Sequence, residues 1–454
     1  MKNVQYYMMV YNRSKEGDRN MNILFFQWFA FMQKGIENAL KKMNVSYDVF
    51  YYDMKDWDND GELERKLSDY LKNSNVTYDA VFSVNFIPMV SDVCCRLVSE
   101  FNTDRYRKLK YISWVYDCPV NIRRTAALKN DCNIIYFFDR IQAESYAKQG
   151  VRGAGHMPLA VDTDIFAGVI NNAFGNVVNN VTNNVGNSCI SDVAVNERAE
   201  FKDTGILQES ILCNNNVLPT YACDVAFVGK LYRSDYQYIS KYQDEYTRGY
   251  LEGIVSTQEK IYGGYIIDDC VNIMKCINDN FAKVSGGTYS VIKPEVTYAL
   301  ATEVTGRERY KALALLQNRC RVNLYSTDKD DRLSGLNQCG PVDYYNQMPL
   351  AFNQAKINLN ISLKIIQSGI PLRVFDVLGC GGFLITNYQQ EIAENFEDGR
   401  ELVIYEDIPD LIAKVDYYLS HDDERLRIAS NGYEKVKSEC TFEKRMNKIL
   451  SGML

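Results

Sequence analysis

Short β-rich runs alternate with helical periods over roughly the first third of the chain. VQYYMMVYN (4–12) predicts a strand. Phe31 to Met43 predicts an amphipathic helix with Ile36, Leu40 and Met43 on one side, and VSYDVFYYD (45–53) returns to a strand. The alternation continues with a helix over 61–73, the strand DAVFSVNF (79–86), a helix over 90–101, and the strands YISWVYD (111–117) and IIYFFD (134–139). Strand, helix, strand at this spacing is the pattern of a parallel, doubly wound sheet.

The rhythm then breaks. No Lys or Arg occurs between Gly153 and Glu197, and NNAFGNVVNNVTNNVGN (171–187) is Asn-rich, with neither a helical nor a strand period. That composition predicts a flexible loop or linker outside both cores. CDVAFVGKL (223–231) opens a second α/β unit, followed by a mostly helical stretch over 235–281, a helix at 307–318, the strand 321–326, a helix near 345–355 and the strand 356–362. A helix at 371–379, strands at 383–386 and 401–405, and helices at 407–419, 422–437 and 441–451 complete the chain. The expected organisation is an N-terminal Rossmann-like domain (1–165), a linker (166–220) and a C-terminal Rossmann-like domain (221–454), with the option that the last helices pack back on the first domain.

Composition narrows the chemistry. The 454 residues, 46% hydrophobic and 24% charged, suit an ordinary globular chain that needs no disulfide or metal to fold. With 51 Lys+Arg against 58 Asp+Glu, the net charge of -7 gives no broad basic surface for a phosphate backbone, so nucleic acid is excluded as a partner. His156 and His421 are the only histidines, which excludes a His-rich metal site and leaves acid/base work mostly to carboxylates. Thirteen cysteines, none spaced CxxC, read as free and mostly buried thiols in a reducing compartment. The start MKNVQYYMMVYN has no basic region followed by an apolar one, and Met21 to Met32 is short and broken by Asn22 and Gln27. These features predict a cytoplasmic protein with no membrane span.

The most informative window is SGIPLRVFDVLGCGGFLITN (368–387). Pro371 suits the first position of a helix, and the preceding Ser368-Gly369 is expected to leave backbone amides uncovered for phosphate. Arg373 and Asp376, three apart, share one helix face. The cation can neutralise a pyrophosphate and the carboxylate can accept both hydroxyl protons of a ribose diol. Gly379, Gly381 and Gly382 close a helix and open a strand, the reverse of a dinucleotide fingerprint, which disfavours a nicotinamide oxidoreductase. The alternative for the window is a helix C-cap and tight turn with an incidental ion pair.

Together with VFSVNFIP (81–88), YISWVYDCP (111–119), HMPLAVD (156–162), CDVAFVGKLY (223–232) and GYLEGIVSTQEKIYG (249–263), this window resembles the CgeB-like, spore-maturation type bacterial glycosyltransferases over nearly the whole chain. The resemblance implies a GT-B fold, two Rossmann-like doubly wound domains facing across a cleft. It further implies a nucleoside-diphosphate-sugar donor, a protein or glycan acceptor, and hexosyl or N-acetylhexosaminyl transfer. The window also resembles, more distantly, the donor signature of retaining GT-B enzymes, in which two glutamates eight residues apart bind sugar and ribose. That alignment puts Asp376 at the ribose position and Ser368 at the sugar position. Ser368 departs from the pattern by lacking a carboxylate. A non-catalytic nucleotide- or glycan-binding protein on the same scaffold is the alternative it favours.

The remaining candidates come from strand ends. Lys230 and Arg233 follow the strand opening the second unit, as diphosphate ligands or as solvated cations. Asp117, in VYDCP, is the candidate catalytic base or acceptor-binding group, or a helix-capping Asp. Asn85 binds acceptor or caps a turn, Asp139 at the end of the next strand is a further site candidate or equally a turn former, and His156 reads as a satisfied structural histidine. Donor binding is thus expected from Lys230, Arg233, Ser368, Gly369, Arg373, Asp376, Gly381 and Gly382, with no cofactor and no metal. The one DxD, Asp162-Thr163-Asp164, lies at the linker and is discounted.

Overall fold

The computed structural model describes residues 21–101, 103, 105–117, 124–184 and 221–452. It is an α/β protein built on two six-stranded sheets. The strands of the first are β1 (Asn22–Gln27), β2 (Ser46–Tyr51), β3 (Ala80–Val84), β4 (Lys110–Val115), β5 (Asn133–Phe137) and β6 (Ala154–His156), in the order β2-β1-β3-β4-β5-β6. The second holds β7 (Cys223–Val228), β8 (Val322–Tyr325), β9 (Asn337–Gln338), β10 (Ala355–Asn360), β11 (Leu384–Asn387) and β12 (Val403–Tyr405), in the order β12-β11-β10-β7-β8-β9. Pairing is parallel between β1 and β2, β1 and β3, and β3 and β4, and along the whole second sheet. Chain order in the second sheet reverses between β10 and β7, and in the first between β1 and β3. In open parallel sheets such a reversal opens a crevice beyond the strands' carboxyl ends, where ligands bind.

Two compact units result. Of the described residues, one contains those from Met21 to Trp114 with 124–135 and 150–153, the other 115–117, 136–149, 154–184 and 221–452. In the second unit Val225, Phe227, Leu324, Ile357, Leu359, Ile385 and Val403 form the core of the sheet. A separate cluster around Tyr236, Ile239, Leu251, Ile254, Ile277, Val296 and Leu300 gives the helices inserted between β7 and β8 their own core. The final helix, Phe442–Ser451, is anchored within this unit: Val161 bridges to Thr441, and Arg445 Nε donates to the Leu159 carbonyl.

Most expected elements appear within a few residues of their predicted positions. The helix Gly61–Asn73 matches its prediction end for end because Asp60 caps it by accepting from the Leu63 amide, while Leu63, Leu67 and Leu71 bury one face. Two differences matter, and one expectation falls on residues that are not described. The strand expected at 4–12 lies outside the described residues, and the first described strand is β1, inside the apolar stretch Met21 to Met32. Part of the Asn-rich segment is helical after all: the helix Thr163–Asn184 includes residues 171–184, with Asp162 accepting from the Ile165 amide in its first turn. Asn is only moderately unfavourable in helices, so composition is a weak guide here. Residues 185–187 lie outside the described residues. The helix expected from 307 begins at Lys293, with Pro294 in its first turn.

Candidate functional site

The carboxyl ends of β7 and β10 carry most of the sequence-predicted donor residues. Lys230 lies just beyond β7 and is exposed, as is Arg233, whose guanidinium donates to the Lys329 carbonyl. Beyond β10 the chain runs through Ser362 and Lys364 to Pro371, which adopts φ -60°, ψ 147° and caps the helix Leu372–Gly379 rather than forming its first residue.

Arg373 and Asp376 do meet on one face of that helix: Arg373 Nη1 lies 3.3 Å from Asp376 Oδ2. Tyr344 donates its phenol proton to Asp376 Oδ1 at 2.7 Å. Asp376 is only 1% exposed. Burial raises its carboxyl to about 6, against the opposing pull of Arg373 and the Tyr344 hydrogen bond. Tyr344 was not singled out by sequence, because nothing local distinguishes one of 33 tyrosines. Gly381 adopts φ +69°, and a Cβ on Gly382 would lie 2.8 Å from the Phe352 carbonyl oxygen, so both serve the turn between helix and β11.

The expectation that Ser368 and Gly369 leave their amides uncovered is not met. Asp139 Oδ2 accepts from three successive backbone amides, those of Gln367 at 2.7 Å, Ser368 at 2.9 Å and Gly369 at 3.1 Å. Its other oxygen accepts from the Gln142 amide at 2.9 Å and so caps the helix Arg140–Lys148. The carboxylate therefore fills a backbone nest of the kind that binds anions. Ser368 is wholly buried, and its hydroxyl reaches Glu391 Oε1 at 2.8 Å. Glu391 also accepts from the Arg140 amide, and His156 Nε2 lies 2.8 Å from its second oxygen. Burial pushes the Glu391 carboxyl up, but His156, the Arg140 amide and Ser368 together bring it below the ordinary range. His156 thus has a buried acidic partner, in keeping with a structural histidine.

Asp117 is exposed, two residues beyond β4. Its charge is felt at Tyr298 of the helix Lys293–Leu316, whose phenol is raised first by burial, then by Tyr232, Asp117 and Asp235. In the first unit, Asn85 follows β3 with φ 56° and is buried, its amide donating to the Trp114 carbonyl at 2.9 Å. Beside it, where the order of the first sheet reverses, Trp28 Nε1 donates to the Val84 carbonyl at 3.1 Å, and the Trp28 ring meets Trp57 edge-on at 4.7 Å. Among the described residues no group of acidic, cysteine and histidine side chains is arranged to hold a metal ion, and no helix is long and apolar enough to cross a membrane.

Residues 307–451 match a protein family described as glycosyl transferase-like. No curated protein matches the chain. Among solved structures, the chain is similar to Anabaena Alr3699/HepE in complex with UDP and glucose (TM-score 0.49, 10% identity, covering 95% of this chain and 99% of that one). It is similar at the same level to a glycosyltransferase from Rickettsia africae ESF-5 (TM-score 0.48, 10% identity, 96% and 98% covered). A third is sucrose-phosphate synthase (tll1590) from Thermosynechococcus elongatus (TM-score 0.49, 11% identity, 95% and 99% covered).

Proposed function

We propose that this protein is a cytoplasmic GT-B glycosyltransferase of the CgeB-like type. It moves a hexosyl or N-acetylhexosaminyl group from a nucleoside-diphosphate sugar to a protein or glycan acceptor, without a metal. The observation that carries the reading is that the glycosyl transferase-like match, 307–451, contains the Arg373–Asp376 pair and the helix on which it sits, beyond the reversal point of a parallel sheet. In the proposed complex Arg373 and Lys230 offset diphosphate charge, aided by the first-turn amides of the helix Leu372–Gly379. The ribose diol replaces the Tyr344 hydroxyl on Asp376, one O–H donor for another. Arg233 and the turn Gly381-Gly382 border the donor. Asn85 contributes to acceptor binding in the first unit.

A second reading, binding without transfer, is favoured by Ser368: a carboxylate is lacking there, and the hydroxyl is already committed to Glu391. Release of nucleoside diphosphate from nucleotide sugars separates the two, and Asp117 tests the transfer step itself. As the acceptor's base, its replacement in Asp117→Asn should cut transfer by about a hundredfold or more while leaving nucleotide affinity unchanged, because a base acts on the acceptor and not on the diphosphate. Full activity in that variant would remove Asp117 from the mechanism. Nucleotide-sugar binding itself is read from the rise in melting temperature across a panel of uridine, adenosine and guanosine diphosphate sugars.

A further inference from the structure

The loop after β7 presses closely on the helix Lys293–Leu316. A Cβ on Gly306 would lie 2.5 Å from the Tyr232 carbonyl oxygen and 3.2 Å from that of Leu231, so only glycine admits the loop. Tyr232 itself is held at φ 55°, a left-handed conformation unusual for so large a residue. Beneath this loop lies Arg309, 8% exposed. Its Nε donates to the Ile361 carbonyl at 3.2 Å, its Nη2 donates to the same oxygen, and its Nη1 donates to the Lys230 carbonyl. The rings of Phe227 and Tyr232 lie 5.2 and 4.8 Å from the guanidinium carbon. One side chain therefore ties the segments leaving β7 and β10, the two strands between which the order of the second sheet reverses.

Among the described residues, the hydrogen-bond acceptors of Arg309 are carbonyl oxygens alone. The adjacent Glu308 is engaged elsewhere: it accepts from Tyr262 at 2.9 Å and Tyr405 at 3.0 Å, and faces Lys364 Nζ at 3.8 Å. Arg309, Lys364 and Glu308 are all buried, two cations against one anion. Burial pulls the Arg309 guanidinium below its ordinary value and nearby Arg373 adds to the pull, against Tyr232, Glu308 and Tyr405. Arginine nonetheless stays protonated in proteins, so an excess of buried positive charge persists at the reversal point. A buried cation whose partners are all neutral favours an incoming anion.

We propose that Arg309 is a positioning residue for the donor diphosphate, fixing the Lys230 and Ile361 segments around it and supplying positive charge that no carboxylate pairs with. Three of its five N–H donors hold these two carbonyls. The inference rests on the nucleotide-sugar reading above.

Calorimetric titration of the full chain with nucleoside diphosphates (UDP, ADP and GDP) and with inorganic pyrophosphate tests it, in wild type and in Arg309→Lys, Arg309→Gln and Arg309→Met, each checked by its melting temperature. Arg309→Gln and Arg309→Met are expected to weaken binding of both by about tenfold or more, and Arg309→Lys, which keeps the charge but not the planar fork on the two carbonyls, to recover part of the loss. Equal losses in the Lys and Gln variants, or unchanged affinity in Arg309→Gln, would overturn the proposal. If Arg309→Met fails to fold, the Lys and Gln pair decides. A wild-type protein that binds none of UDP, ADP and GDP overturns the nucleotide-sugar reading, and this inference with it. A wild type that binds while Arg309→Gln is unaffected overturns this inference alone.

Discussion

Asp139→Ala is expected to lower the melting temperature by roughly 6 °C, the largest loss among the substitutions considered. The carboxylate holds the Gln367, Ser368 and Gly369 amides together and caps the helix Arg140–Lys148 with its other oxygen. Its removal leaves buried donors without an acceptor, and there is little room for water, because a Cβ on Gly369 would already sit 3.0 Å from Asp139. Each orphaned buried donor costs about 1–3 kcal/mol and a lost cap about 1 kcal/mol, so a total near 4 kcal/mol is reasonable after partial relaxation. Differential scanning fluorimetry reads the change. A drop of only a degree or two would mean that the three amides find other partners and that the nest is not held by this carboxylate.

The second large effect is a change in pH dependence. Asp376 has its carboxyl raised to about 6 from an ordinary 3.8, so between those values the folded state binds a proton that the unfolded state has released. Stability from this group is therefore present below pH 4 and is lost as pH rises toward 6, a penalty of about 3 kcal/mol once both states are ionised. Asp376→Asn keeps the shape and cannot ionise. Relative to wild type it should gain about 3 kcal/mol between pH 4 and neutrality, roughly half of that between pH 5 and pH 8. The same substitution should weaken nucleotide binding by about 1–3 kcal/mol, the size expected for losing a charge-assisted hydrogen bond to ribose. Opposite signs for stability and binding are the mark of a group kept for function at the expense of the fold. Urea titrations at several pH values measure the first effect; parallel pH profiles for wild type and variant would contradict it.

Local signals explain what the sequence reveals and what it hides. The helix Gly61–Asn73 is legible because its cap and its leucine stripe lie within a few residues of one another. The Arg373–Asp376 pair is legible for the same reason, being three apart on one helix. Asp139 reads locally as a turn former, yet its main partners lie 228 to 230 residues away, and no periodicity encodes such a reach. Arg309 likewise sits in an ordinary helical stretch; only the fold brings it under the carbonyls of Lys230 and Ile361. The occupied amides before Pro371 could not be foreseen, since a Ser-Gly pair shows which amides exist but not what accepts from them. The helical Asn-rich segment was hidden because residue preference is weak beside context.

The measurement that bears most directly on the account is the release of nucleoside diphosphate from a panel of nucleotide sugars incubated with the wild-type protein and with Arg373→Ala. The account predicts slow release from at least one donor by the wild type, and release reduced by about tenfold or more in the variant through lost diphosphate contact. Binding of a donor by the wild type with no release from any of the panel, with or without glycan acceptors, would contradict transferase activity and leave a nucleotide-binding protein in its place.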